Sequence, residues 1–414
     1  MKVLIGVIEK TEGEHLFIME DGVCRLEAVT ENNAAEFINY SLLKNRPFKI
    51  REEPLGGSGV FRFRYGPVTS GIREAGCFYL YTYGEKILRA GIDLSWKHRN
   101  IEAAMGNKNL DKGLQLAEKV CSNFAFAHSV AYSRAIEKAL DISISLQTKN
   151  WRTILLEAER VYNNLHVIYR LTSAAAQKVM TAHLSALFEE ALRINEVLTA
   201  SRYLMGINQV GKLNTLPEIS SIENAIKGYQ QISKKFVELY KHSLTNPNYL
   251  DRLHGAGILS AKNVQSLGLT GPSSRACGVK DDLNGTHKHL IDLPVITQNE
   301  GDALARMEVR SEEIVNSCQY LVDHLKFSDT WSEETKTITA FDKRAGEGCS
   351  VANSASGAVG YYVAIDEGNI RQAKIFTPSY VGMHAISAAL QDLVFTDFPF
   401  VFDSFGVHFT DAAR

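Results

Sequence analysis

The chain has 414 residues, of which 45% are hydrophobic and 22% charged, and its formal net charge is −2. This length and hydrophobic content are ordinary for a globular protein with a large core, in one domain or in two or three. The near-neutral charge gives no electrostatic basis for binding nucleic acid, which is therefore excluded as an expected partner. No apolar run reaches the roughly 18 residues of a membrane-spanning helix, so membrane association is expected only through partner subunits.

The N-terminus and the cysteines both predict a cytoplasmic protein. The first apolar run, VLIGVI, is short and is followed closely by acidic residues, so a signal peptide is not expected. The six cysteines are scattered along the chain without a close pair. This spacing favours a reducing compartment and argues against a zinc or iron–sulfur site built from neighbouring residues.

The first quarter of the chain predicts a small α/β region followed by a small β-sheet. Residues 1–58 mix strand-like runs with one helix at 33–43, and LGGSG at 55–59 predicts a linker. We therefore predict a small N-terminal α/β extension at 1–58 and a main domain at 59–414. From 60 to 94 the runs FRFRYG, CFYLYTYG and KILRAGIDL alternate and are rich in aromatic residues, which predicts a small antiparallel sheet.

The middle of the chain predicts a helical bundle. Apolar residues recur at helical spacing in long segments, and the stripe that begins at Trp151 and ends at Ile168 is interpreted as core. The predicted helices are 110–140, 150–170, 174–205, 222–244 and 302–325. Several long helices with short connections are typical of a bundle.

The last third of the chain is less regular. Residues 251–299 and 328–357 are interpreted as irregular or looped, and the acidic cluster at 332–334 as solvated. YYVAID and IRQAKIF flank DEGN, which predicts a hairpin, and a helix is predicted at 383–393 before an apolar tail at 395–409. The predicted fold is α+β: a central long-helix bundle with an N-terminal antiparallel β-sheet and a C-terminal β-hairpin packed at one end.

Five motifs occur in an order and at a spacing that match a known family. They are GPVTSGIREAG at 66–76, KHRNIE at 97–102, EKVCSNFAFAHSVAYSRAIEKAL at 118–140, LDRLHGAGILS with GLTGPSSRACGVKDDL at 250–283, and DFPFVFDSFGVHFTDAAR at 397–414. From about residue 65 to residue 414 the chain resembles the large subunit of membrane-bound [NiFe] hydrogenases of the formate-hydrogenlyase and hydrogenase-4 type. It equally resembles the quinone-site subunit of complex I, which is the 49 kDa type.

The resemblance implies a metal site that has lost most of its ligands. Hydrogenases of this family hold nickel and iron with thiolates from two Cys-x-x-Cys pairs, because soft sulfur ligands suit these metals. The matching positions here carry Cys121, Phe124, His408 and Asp411. One thiolate does not hold the cluster, so the resemblance implies a framework that binds no cofactor of its own.

Other positions depart from the family or keep its residues. Thr69 replaces a loop histidine, Ser122 replaces a quinone-contacting tyrosine, and 353–356 replace a segment that carries an arginine. The residues that persist are Arg99, Glu102, His128, Glu137, Arg275 and Arg414. Glu102 matches a glutamate that carries protons in the family, a role that suits a buried carboxylate with a raised pKa.

Each candidate residue has a structural alternative. Cys121 is a lone metal ligand or, more commonly for a free cysteine, a buried apolar thiol. Cys121, His408 and Asp411 form a three-ligand zinc or iron site, or they have drifted independently. Glu102 relays protons or forms an ion pair with a nearby basic residue or a distant arginine.

Two functions are predicted. In the first, the chain is a subunit of a complex I-like or hydrogenase-4-like oxidoreductase assembly on the cytoplasmic face of the membrane. It takes electrons from an iron–sulfur small subunit towards a quinone or another acceptor, above membrane-embedded ion-translocating subunits, with Glu102, Thr69 and His408 as proton or acceptor contacts. In the second it is a catalytically silent scaffold or coupling subunit. A tunnel lined by those three residues favours the first, and a cavity filled around Phe124 favours the second. A nickel hydrogenase is rejected because it requires its thiolates.

Overall fold

The computed structural model describes residues 2–51, 53–69, 74–281, 283, 293–326 and 344–414. Its strands are Lys2–Lys10 (β1), Gly13–Glu20 (β2), Val23–Ala28 (β3), Lys49–Ile50 (β4), Val60–Tyr65 (β5), Cys77–Tyr83 (β6), Lys86–Asp93 (β7), Asn208–Gln209 (β8), Lys212–Leu213 (β9), Gly346–Ser354 (β10), Gly357–Asp366 (β11) and Asn369–Phe376 (β12). Its α-helices are Glu31–Ala35 (α1), Tyr40–Asn45 (α2), Ile101–Met105 (α3), Leu110–Glu118 (α4), Ala125–Ala139 (α5), Leu146–Ala174 (α6), Lys178–Thr199 (α7), Ile219–Ser243 (α8), Pro247–Leu253 (α9), Ala261–Leu267 (α10), Pro272–Arg275 (α11), Ala303–Leu325 (α12), Pro378–Ala389 (α13), Phe398–Ser404 (α14) and Phe409–Ala413 (α15). The predicted α+β class is confirmed.

The N-terminal segment forms a three-stranded antiparallel sheet, β1-β2-β3, followed by two short helices. The sequence predicted a single helix at 33–43 in this region, whereas the structure has α1 and α2 there. Thr30 caps α1 through the backbone N–H of Asn33, and the helix ends at Ala35. The sheet packs on the C-terminal strands: a side chain at Gly6 would meet the ring of Phe376 at 1.9 Å. The predicted boundary at residue 58 stays a prediction.

The second sheet has the strand order β4-β7-β6-β5 and is antiparallel throughout, as predicted for 60–94. Its inner face is aromatic: Phe63 contacts Phe395 edge to face at 5.1 Å, and Phe78 contacts Phe398 at 4.9 Å. These contacts attach the sheet to the C-terminal segment. The loop between β5 and β6 is therefore held close to the end of the chain.

The bundle consists mainly of α6, α7, α8 and α12, which pack against one another, while α5 contacts α6 and packs mainly on β10 and β11. The predicted helices at 150–170, 174–205, 222–244 and 302–325 correspond to α6, α7, α8 and α12 and are confirmed. Helix α6 begins after Ser145, which caps the N–H of Thr148. The polar side of α6 is also buried. There Arg152 forms a bidentate ion pair with Glu137 of α5 at 2.6 and 2.8 Å.

The predicted single helix at 110–140 is wrong, because the helix is interrupted around Cys121, between α4 and α5. Cys121 has extended backbone angles, φ −151° and ψ 122°, and a short 3-10 turn follows at Ser122–Phe124 before α5 begins. The residue that precedes α5, Phe124, offers no side-chain cap. Helix α5 therefore starts at the segment that carries the first pair of candidate ligand positions.

The predicted loop at 328–357 is wrong for its second half, which forms strand β10. This strand pairs with β11, and the predicted hairpin of β11 and β12 is confirmed, so the C-terminal sheet has three strands instead of two. A side chain at Gly348 would meet the carbonyl oxygen of Ala135 at 2.2 Å, so α5 approaches the strand at its glycines. Residues 332–334 lie outside the described residues.

Buried arginines on α12 hold the C-terminal segment against the bundle. Arg306 donates to Ser404 at 2.8 Å, and Arg310 donates to the carbonyl oxygen of Phe405 at 2.8 Å. Together they fix the turn between α14 and α15. Within the described ranges, no helix combines the length and apolar character that crossing a bilayer requires.

Candidate functional site

The two segments with candidate ligand positions meet at the start of α5. Phe124 contacts the imidazole of His408 edge to face, with ring centroids 5.4 Å apart. The Sγ of Cys121 lies 3.9 Å from the hydroxyl of Thr410, next to Asp411. The structure therefore brings all four positions into one region, at the end of the bundle that faces the second sheet.

Arg99 links the two segments directly. Its guanidinium donates to the carbonyl oxygen of Lys119 at 2.7 Å, just before Cys121, and to that of Thr410 at 3.2 Å. The neighbouring His98 Nδ1 lies 2.8 Å from the carbonyl oxygen of Ala413. The KHRNIE motif thus acts as a clamp on the end of the chain.

Cys121 and Phe124, the first pair of candidate ligand positions, are both buried, at 3% and 1% exposed. Burial raises the pKa of the Cys121 thiol well above its usual range, with Asp411 and Glu74 adding to the effect. Cys121 is thus a protonated, apolar thiol at neutral pH, as the structural alternative expects.

Asp411 is engaged in a buried chain of hydrogen bonds. Its Oδ1 lies 2.9 Å from the Nε2 of His128, whose Nδ1 lies 2.9 Å from the hydroxyl of Tyr361. Its Oδ2 accepts the backbone N–H of Ser379 at 3.2 Å. Burial alone would raise the pKa of Asp411, but His128, the Ser379 hydrogen bond and His408 together outweigh it and the pKa is lowered. Asp411 therefore supports the fold as an ionised acceptor.

Glu159 of α6 supplies the cap that α5 lacks. Its two carboxyl oxygens accept the backbone N–H groups of Phe126 and Ala127 at 2.8 and 3.1 Å. These N–H groups lie in the first turn of α5 and have no acceptor within the helix, so they favour a negatively charged partner. Burial nevertheless raises the pKa of Glu159 to about 8. This carboxyl group fixes the start of α5. Because Glu159 is distant in the sequence, the residues around the start of α5 gave no indication of this cap.

A polar cavity of about 230 Å³ lies beside the candidate ligand positions. Its lining comprises Glu74, Asn123, His166, Val167, Arg170, Phe402, Asp403, Gly406, Val407, His408 and Phe409. Its wall combines ionisable and amide side chains with apolar ones. Arg170 and Asp403 form an ion pair across it at 2.7 Å.

Two imidazoles share one amide in this cavity. The Nδ2 of Asn123 lies 3.1 Å from the Nδ1 of His166 and 3.1 Å from the Nε2 of His408. The two rings are parallel, with 9° between their planes and centroids 6.3 Å apart. Burial lowers the pKa of His408 against the opposing effect of Glu74 and Asp411. The amide N–H₂ donates to both rings, so the Nδ1 of His166 and the Nε2 of His408 act as acceptors.

The loop from the second sheet closes one side of the cavity. Glu74 accepts the backbone N–H of Phe409 at 2.6 Å and the hydroxyl of Thr410. Thr69 lies earlier in this loop, is half-buried, and does not belong to the cavity lining. Residues 70–73 lie outside the described residues. Of the three predicted contacts, His408 lines this cavity, whereas Thr69 and Glu102 do not.

Glu102 lies in a separate cluster of charges. Its carboxylate accepts from Arg46 at 2.9 and 3.2 Å and from the backbone N–H of Ile375 at 2.9 Å. Arg414 and Lys374 lie within 3.4 and 3.6 Å. Burial opposes ionisation, but Arg46 and Arg414 outweigh it and lower the pKa of Glu102 to about 2. These contacts favour the ion-pair alternative over a proton relay, which needs a raised pKa.

Arg275 is also structural. It pairs with Asp281 at 2.7 Å and with Glu313 of α12, inside the protein. Arg310, which the sequence did not single out, donates to Asn164 at 2.8 Å and to the carbonyl oxygen of Ala355 at 3.1 Å. It therefore supports both α6 and the 353–356 turn. Asn123 and His166 were missed as well, because neither matches a family ligand position.

The residues present do not fit a nickel–iron cluster. Three of the four candidate positions lack sulfur, and the carboxylate of Asp411 is already paired with His128. In the part of the chain that the structure describes, no group of three or more His, Cys, Asp and Glu side chains is placed to hold a metal ion. The three-ligand alternative of Cys121, His408 and Asp411 therefore has no geometric support.

Comparisons with known proteins agree with this architecture. The family model described as respiratory-chain NADH dehydrogenase, 49 kDa subunit, matches residues 179–337. The D-type subunit of the NADH-quinone oxidoreductase of Deinococcus radiodurans is 27% identical over 349 residues, covering 76% of this chain and 86% of that protein. Formate hydrogenlyase subunit 5 of Escherichia coli is 27% identical over 268 residues, covering 63% of this chain and 47% of that protein.

The fold matches a solved structure over most of the chain. A chain of the membrane-bound sulfane sulfur reductase, an archaeal respiratory membrane complex, superposes with a TM-score of 0.79 at 21% identity. The match covers 87% of this chain and 100% of that chain. At this identity the likeness concerns the fold.

Proposed function

Because this chain belongs to the superfamily of complex I 49 kDa subunits and hydrogenase large subunits, we propose that it is a subunit of a complex I-like membrane oxidoreductase. It lies on the cytoplasmic face, takes electrons from an iron–sulfur partner subunit, and passes them towards a quinone or another acceptor without a nickel–iron centre. Membrane-embedded ion-translocating subunits are its other partners. Homology to subunits of such assemblies supports the placement.

The single observation that carries an acceptor role is the polar cavity beside the lost metal position. A volume of about 230 Å³ admits a small ring or an acceptor of similar size, and the imidazoles of His166 and His408 line it. A neutral His408 that accepts from Asn123 at Nε2 carries its proton on Nδ1, which is a donor for an oxygen of the bound acceptor. Hydrogen bonds to the reduced form of the acceptor stabilise the charge that develops on it.

A scaffold function is the second candidate, and specific contacts favour it. Phe124 is buried at one of the candidate ligand positions, and Glu102 is held ionised by Arg46 and Arg414. A subunit kept only for its shape requires no more than these packed and paired side chains. The two functions differ in what they require of His408.

His408→Gln in the purified assembly separates the two. An acceptor contact predicts a fall of at least tenfold in kcat/KM for a water-soluble quinone, with subunit composition unchanged on native gels. The matched control is His242→Gln, since His242 is exposed on α8 and outside the cavity. Unchanged acceptor reduction in an intact assembly would establish the scaffold function instead. Nickel at one equivalent per chain would contradict both.

A further inference from the structure

Strand β5 forms one edge of the second sheet. It pairs with β6 on one side. Among the described residues, no backbone hydrogen bond joins residues 61–64 to a strand on the other side. An exposed edge presents unpaired N–H and C=O groups that can pair with another chain. The outer edge of β5 is thus able to accept one more strand.

The outer face of β5 carries two positive charges. Arg62 and Arg64 are exposed on the same face of β5, over the rings of Tyr79 at 4.3 Å and Trp96 at 5.7 Å. Across the described ranges, neither guanidinium has a carboxylate within ion-pair distance. Arg89 differs: it opposes Tyr81 from the inner strand β7, as Arg62 does from β5, and it pairs with Glu53 at 3.8 Å.

Large apolar side chains are exposed along the same edge. Phe61 points to the opposite face of β5 from Arg62 and is 63% exposed. On the neighbouring strand β6, Tyr83 opposes Val60 and is 61% exposed, and Val68 in the loop after β5 is 90% exposed. Exposed apolar side chains that cluster beside unpaired backbone are typical of binding surfaces.

We propose that the outer edge of β5 binds an extended acidic segment of another subunit as an added strand. Its carboxylates occupy alternate positions facing Arg62 and Arg64, and its intervening apolar side chains face Phe61. Main-chain hydrogen bonds give the affinity for such a segment, and its alternating acidic and apolar side chains give the specificity. The proposal rests on the proposed assembly only in taking the partner to be a subunit of it.

The position of this edge ties the partner to the candidate site. Strand β5 runs directly into the loop that carries Glu74, which accepts the backbone N–H of Phe409 at the cavity. A strand added at β5 therefore holds one end of the loop that closes the cavity. The docking surface and the cavity are separate sets of residues, so each can be altered without the other.

Photo-cross-linking in the intact assembly tests the proposal. Phe61 is replaced by the photoreactive p-benzoyl-phenylalanine, the purified assembly is irradiated, and the cross-linked peptide is identified by mass spectrometry. The expected product joins position 61 to a segment of another subunit with acidic residues at alternate positions. Arg62→Glu is expected to lower its yield at least tenfold, whereas Arg89→Glu, the same charge change on an inner strand, leaves it unchanged.

Several results would overturn the proposal. They are the absence of an inter-subunit cross-link, a product on a basic or helical segment, or a yield that Arg62→Glu does not change. Arg64→Glu provides an independent variant, and thermal midpoints within about 2 °C of the parent show that each variant is folded. Failure of the acceptor role leaves the cross-link intact, because His408→Gln changes only the cavity.

Discussion

Replacing Glu102 with glutamine removes a buried negative charge that neutralises two arginines. The pKa of Glu102 falls from an ordinary 4.5 to about 2 in the folded chain, and its side chain is only 18% exposed. At about 1.4 kcal/mol per pH unit, the ionised carboxylate stabilises the fold by about 3 kcal/mol. Loss of one member of a buried ion pair costs a similar amount, because the other charge stays unpaired.

The expected effect depends on pH in a defined direction. Because the folded pKa lies below the unfolded one, the stabilisation is complete above about pH 4.5 and disappears as the pH falls towards 2. The difference in unfolding free energy between the parent and Glu102→Gln should therefore be constant from about pH 7.5 to 5.5 and shrink below about pH 4.5. Urea unfolding followed by circular dichroism measures it, with a midpoint shift of about 1 M for an m value of about 3 kcal/mol/M.

The control is Glu36→Gln, the same substitution in a surface pair. Glu36 contacts Lys2 at 2.6 Å but is 54% exposed, so its loss should change the unfolding free energy by less than about 0.5 kcal/mol. A Glu102→Gln variant as stable as the parent would refute the ion-pair reasoning. If that variant also lost proton-coupled acceptor reduction, Glu102 would be the relay that its motif predicts.

Three further predictions concern the packed centre of the site. Phe124→Ala should lower the unfolding free energy by about 3 to 5 kcal/mol, measured against Phe124→Leu, because the ring is buried and its removal leaves a cavity; a loss below about 1 kcal/mol would mean that the position is not packed. Asp411→Asn should cost about 3 kcal/mol at pH 7 by urea unfolding, since it removes the charge paired with His128; an unchanged midpoint would show that the pair contributes no net stability. All six cysteines are buried, so Ellman's reagent should titrate no thiol in the native protein and six after unfolding, and rapid modification of Cys121 in the native state would contradict its burial.

The long helices were predictable because their apolar residues keep one period over many turns. Helix α6 extends beyond the predicted 150–170 at both ends, since Ser145 gives its first turn a cap that the stripe does not include. What the stripe could not show is that Arg152 on the polar side is buried as well. Its partner Glu137 belongs to another helix, so the pair is visible only in three dimensions.

The break at Cys121 was missed for a similar reason. Local sequence shows no glycine or proline there, and a long apolar pattern continues through it. The cap that starts α5 comes from Glu159 on α6, more than thirty positions further along the chain. Tertiary contacts therefore decided a helix boundary that local preferences left undefined.

Strand β10 was predicted as part of a loop because the segment 328–357 is polar. Glycine weakens an isolated strand, but here Gly346 and Gly348 let the backbone of α5 come close, and a side chain at either would strike Ala139 or Ala135. The residues of the candidate site also differ in how far the sequence could reveal them. Its four ligand positions were found by alignment, whereas Asn123 and His166 gain meaning only once the helices are packed.

The shared amide of Asn123 couples the hydrogen bonding of the two imidazoles. A proton added to the Nε2 of His408 turns an acceptor into a donor and pushes the amide hydrogen away from it. The amide can then rotate so that its oxygen meets the new donor, and the same rotation withdraws the hydrogen that the Nδ1 of His166 accepts. A change of charge at one ring thus alters the hydrogen bond at the other through a single side chain.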